Sequence, residues 1–179
     1  MTLQRIFEQH RAEILDKWQT LLMDTYPEET KRFLKREKDA FANPVGARFD
    51  VALEKLLQAF IEGANPASWE SGLDEILRVR AVQDFPPSQA VGFIAGLKGV
   101  LRAAAEKWGE GTMPVEIRTF EERVDLMVLA AFDIYSRCRQ ELYEIRVKEV
   151  TRQVERLLRR AGVSADEAGE APAGPEKVE

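Results

Sequence analysis

An all-α fold is predicted by three features of this 179-residue sequence. Apolar residues recur at three- and four-residue steps in each long segment, the spacing that aligns them on one helix face. Asparagine, proline and glycine stand where such segments should start or stop. The composition, 45% apolar and 32% charged, is rich in helix formers and suits one domain with a real core.

The first helix is expected over residues 3–24, where Leu3, Phe7, His10, Ile14, Trp18 and Leu21 share a face. His10 lies on that stripe, where a histidine ordinarily serves as a core residue at the stripe's edge with a hydrogen-bond partner. A metal or haem ligand is the sharper reading, but no second histidine supports it. Tyr26-Pro27-Glu28-Glu29 starts a short helix, with glutamates at the positive end of its dipole. The charge run Lys31 to Lys38 reads as a solvated face. Asn43-Pro44 caps a third helix that runs to Ile61 and stops at Gly63. Asn65-Pro66 repeats the start signal for a fourth, which carries Trp69, Leu73, Ile76 and Leu77 towards Asp84. Phe85 precedes Pro86 and is biased away from helical geometry, so the helix breaks there.

The segment Arg80 to Val100, RAVQDFPPSQAVGFIAGLKGV, carries the strongest anomaly. A fifth helix begins at Pro87 with an apolar stripe of Ala90, Ile94, Leu97, Leu101, Ala104 and Trp108. A second stripe, Ser88, Gly92, Gly96, Gly99 and Ala103, is nearly smooth. Each interior glycine costs about 1 kcal/mol relative to alanine, which calls for close approach of another helix or a ligand. Arg80 and Asp84, spaced i,i+4, are expected to pair on the helix surface. Ser88 is expected to accept a backbone N–H at the start of the fifth helix. Arg80, Gln83, Asp84, Ser88, Gln89, Gly92, Phe93 and Gly96 are thus the candidate residues for a pocket or docking surface. The plainer reading is that they cap two helices and fix their crossing.

Thr112-Met113-Pro114 opens the last helix, which nothing breaks before Gly162, a length of about 70 Å. Phe120, Val124, Met127, Ala131, Ile134, Cys138, Leu142 and Ile145 form one apolar series. Tyr143, Val147, Val150, Val154, Leu157 and Ala161 form another, offset around the helix. The first is expected to pack on the core. The second, Val147, Val150, Val154 and Leu157 above all, is expected to face a second copy along a protruding helix, as an a/d seam does. With fewer than three heptads, that pairing needs help from the domain body. Residues 163–179 read as a disordered acidic tail, leaving 1–145 as the domain and 146–162 as the extension of its last helix.

Several function classes are disfavoured. A net charge of −5 argues against a nucleic-acid partner. No apolar run nears the roughly 20 residues of a membrane span, and the N-terminus has no signal-peptide pattern. One cysteine, Cys138, fits a reducing cytoplasm, and one cysteine with one histidine leaves too few ligands for structural zinc. Phosphate-binding, nucleophile-elbow and HExxH motifs are absent, so no catalytic role, metal or cofactor is expected.

Three blocks carry a resemblance: WQTLLMDTYP (Trp18 to Pro27), DAFANPVG (Asp39 to Gly46) and RAVQDFPPSQAVGFIAGLK (Arg80 to Lys98). Over residues 5–140 the chain resembles the N-terminal domain of the RsbR-type (RsbRD) co-antagonists of RsbT, stressosome-associated regulators. The third block is the most specific. The resemblance implies a globin-like helical bundle that binds no haem, forms dimers and passes a signal along its last helix. In the full-length regulators a phosphorylatable STAS domain follows, and none is found within these 179 residues. The expected function is therefore a stand-alone cytoplasmic sensory or adaptor module that acts as a homodimer on an unidentified protein partner. The alternative is a carrier holding a tetrapyrrole or lipid in a globin-type pocket.

Overall fold

The computed structural model describes residues 2–36, 41–63, 65–109 and 114–160, and these are all helix, turn or connecting loop with no strand among them. The helices are α1 (Leu3–Gln9), α2 (Arg11–Met23), α3 (Glu28–Arg36), α4 (Pro44–Ile61), α5 (Glu70–Val82), α6 (Pro87–Trp108) and α7 (Pro114–Arg160). The chain divides into two compact units, residues 1–139 and 140–179.

In the first unit, α4 packs on α5 and α2, while α6 packs on α1, α2 and α5. Their apolar stripes converge on Trp18, Phe49, Phe60, Trp69 and Tyr135, each at most 1% exposed. Phe120 of α7 joins that core by packing edge-on against Phe7 and near Phe60. The α7 stripe then stays buried through Val124, Met127, Ala131, Ile134 and Cys138. Leu142 is half-buried and Ile145 is 60% exposed, so the core-facing series ends earlier than its periodicity predicts.

The start signals act as expected, with one local difference. Asn43 Oδ1 accepts the Gly46 N–H at 2.9 Å while its Nδ2 donates to the Leu34 carbonyl at 3.0 Å, tying the end of α3 to the start of α4. Asn65 Oδ1 accepts from Ala67 N–H at 3.1 Å, but the turn it caps, Pro66–Trp69, is a 3-10 turn that leads into α5. Gly63 closes α4 with φ +71°, a conformation that costs glycine little.

The single first helix is a correction. His10, with φ −107° and ψ 20°, separates α1 from α2. Its N–H still bonds the Ile6 carbonyl, and its own carbonyl accepts from both Glu13 and Ile14. No glycine or proline marks the break. The side chain is half-buried and lies flat on Trp108, with ring centroids 3.8 Å apart. It thus sits at the edge of the apolar stripe, as expected, held there by a ring stack.

The second unit is described to Arg160 and consists of the C-terminal part of α7. Along it Val147, Val150, Val154 and Leu157 are between 48% and 64% exposed. Ala161 and residues 163–179, to which the sequence assigns the end of the seam and an acidic tail, lie outside the described residues.

Candidate functional site

The residues singled out between Arg80 and Gly96 lie at the corner where α5 ends and α6 begins. The corner is built by hydrogen bonds that close α5. Phe85 N–H reaches back to the Arg80 carbonyl at 3.1 Å and Asp84 N–H to the Ala81 carbonyl at 3.2 Å. This is the 6→1 and 5→2 pair of a Schellman stop, which requires a left-handed residue between them. Asp84 supplies it with φ +63°, the only non-glycine with positive φ among the described residues. Glycine usually occupies such a position; aspartate is one of the few others that tolerates it.

That geometry overturns the expected Arg80–Asp84 pair. Leaving the helix at Asp84 turns the carboxylate outwards, where it accepts from Arg139 of α7. Arg139 Nη1 also donates to the Ala81 carbonyl at 3.2 Å, and Tyr135 Oη donates to the Phe85 carbonyl. Two α7 side chains therefore hold the corner from one side.

Arg80 turns inwards and is fully buried. Its Nη1 donates to the carbonyls of Gln89 at 2.7 Å and Ala90 at 3.2 Å, in the first turn of α6. Its Nη2 donates to the Leu22 carbonyl at 3.0 Å, in the last turn of α2, and to Thr25 Oγ1. The guanidinium carbon sits 4.7 Å from the ring centre of Phe85, 5.2 Å from Phe93 and 5.4 Å from Tyr26. Buried charge is normally matched by an opposite charge. Here three backbone carbonyls, one of them at the C-terminus of α2, and three ring faces take that role. Burial accordingly pulls the Arg80 pKa below its ordinary value and pushes that of the Tyr26 phenol up. The guanidinium Nε has no partner among the described residues.

The other candidates divide into anchored and open residues. Phe93 is buried and its carbonyl accepts from Trp18 Nε1 at 3.0 Å. Gln83 accepts from Tyr26 Oη at 2.8 Å while remaining exposed. Ser88 and Gln89 are exposed. Ser88 is not the cap of α6: Pro86 occupies that position, and no side chain caps the helix. The smooth stripe is split. A Cβ on Gly96 would come within 2.8 Å of Leu21 Cδ1, which explains this glycine by close approach of α2. Gly92 and Gly99 face open space, with nothing within 4 Å of such a Cβ. Sequence reasoning missed Thr25, Tyr26, Tyr135 and Arg139. An aspartate directly before Phe-Pro at a helix end is the signal of a left-handed stop that would have redirected Asp84 away from Arg80.

The most elaborate polar construction among the described residues thus joins α2, α5 and α6 around one buried guanidinium. The family described as the RsbT co-antagonist protein rsbRD N-terminal domain matches residues 12–150, and the chain belongs to that family. It is thereby a signalling domain of the RsbT co-antagonist type. No curated protein and no solved structure matches the chain. Among the described residues no helix is long and apolar enough to cross a membrane.

Proposed function

We propose that this domain is a cytoplasmic, non-haem, globin-like sensory or adaptor module that pairs with a second copy through α7 and contacts a protein partner at the α5–α6 corner. The observation that carries the pairing is the exposed row Val147, Val150, Val154 and Leu157. Its steps alternate three and four, with valine at both a positions and leucine at the last d position, a pattern suited to two parallel strands. Within the first unit, Leu126, Leu129 and Phe132 of α7 are also between 51% and 63% exposed, which supplies the additional apolar contact that so short a seam needs.

The non-haem part of the reading is supported by how the interior is used. Trp18, Phe49, Phe60 and Trp69 are fully buried and occupy it with side chains, and the lone histidine is engaged with Trp108. At the corner, Gln83, Ser88 and Gln89 present exposed amides and a hydroxyl on a backbone fixed from beneath by Arg80. A polar ledge of this kind suits recognition of a protein surface.

Sedimentation velocity tests the pairing. The expected result is a dimer that Val150→Asp or Val154→Asp converts to monomer with unchanged helical circular dichroism. A wild-type chain that stays monomeric at high concentration overturns it.

A further inference from the structure

We infer that Asp84 is a shared counter-ion and that the α5–α6 corner is a two-position switch, with Arg139 and Arg80 as alternative partners of one carboxylate. This goes beyond the pairing proposed above and does not depend on it. Three observations carry the inference. Asp84 is held in the left-handed region at φ +63°, which aspartate tolerates at a modest cost, by two backbone bonds and by Arg139. Arg80 is fully buried and, among the described residues, donates only to carbonyls and a hydroxyl and keeps its Nε without a partner. The two residues are four apart, so continuing the right-handed helix through Gln83 and Asp84 would bring the carboxylate onto the face of Arg80.

In the arrangement seen here the carboxylate is outside and holds α7. In the other, α5 continues through Asp84, the left-handed strain disappears, and the carboxylate approaches the guanidinium edge that now lacks an acceptor. Pro86 keeps Phe85 out of the helix in both, so the change is confined to residues 83–85. Its consequence falls on Arg139, the last residue of the first compact unit, which loses its carboxylate partner. No atom needs to enter or leave the protein; one carboxylate is exchanged between two cations.

The test is relaxation-dispersion NMR on the full chain, with the backbone amides of residues 83–86 and the Nε–H groups of Arg80 and Arg139 as probes. Microsecond-to-millisecond exchange is expected at these groups, with the minor-state Arg80 Nε–H shifted downfield by its new acceptor. Asp84→Gly accepts the left-handed conformation without strain and removes the carboxylate, so the exchange should vanish. Arg139→Gln removes the outer partner and should raise the minor population about two- to fivefold, the factor that an exposed ion pair supplies. Absence of exchange in the wild-type chain overturns the switch. So does exchange that persists in Asp84→Gly, or a minor population that Arg139→Gln leaves unchanged or lowers.

Discussion

Arg80 shows how a charge can be buried without a salt bridge. Its donors link the Leu22 carbonyl, at the end of α2, to the Gln89 and Ala90 carbonyls in the first turn of α6. The planar fork is what lets one side chain reach both helices, and an ammonium cannot reproduce it. Arg80→Lys should therefore destabilise the fold by about 2 kcal/mol or more, read as a lower urea midpoint at unchanged m-value. Tyr26, beside it, gives a pH signature. Burial raises its phenol above the ordinary 10.0, so the folded chain holds that proton more tightly than the unfolded one. Its contribution is intact below pH 10 and is lost as pH rises through the raised value. Unfolding midpoints measured up the alkaline range should fall less steeply in Tyr26→Phe.

At the level of the element, the helix starts show which small residues matter. The Asn43 cap works because Gly46 leaves room for it: a Cβ there would sit 2.2 Å from Asn43 Nδ2. Asn43→Ala should cost about 1 kcal/mol, and Gly46→Ala should cost as much by displacing the same side chain. The glycines of α6 separate in the opposite sense. Gly92→Ala and Gly99→Ala add a methyl to open helix surface and should each stabilise an isolated chain by about 0.4–1 kcal/mol. Gly96→Ala meets Leu21 and should not. Thermal unfolding of the three variants distinguishes them.

Helix starts were legible because Asn-Pro and Pro-Pro are local signals whose meaning does not depend on distant contacts. The α4 bounds and the start of α6 follow from them directly. The break at His10 was not legible, since no local breaker marks it and the residue its ring meets, Trp108, lies 98 positions away. The corner was legible as a junction and misread in its pairing. Spacing places Asp84 over Arg80, whereas the Schellman stop and a side chain from α7, 55 positions on, decide where the carboxylate goes.

For the molecule as a whole, α7 is the element with two environments along one helix: a stripe buried against the core as far as Cys138, and exposed residues at nearly every position from Tyr143. Arg146, Lys148, Arg152, Arg156, Arg159 and Arg160 are all exposed along that second stretch, which makes it a ladder of trypsin sites. A protease needs extended backbone, so it cuts a helix only where the helix opens locally. Trypsin should trim the chain back towards residue 139 and leave the first unit intact. If copies pair along the seam, the trimming rate will fall as protein concentration rises. A brief digestion at two concentrations then weighs the association without any label or mutation.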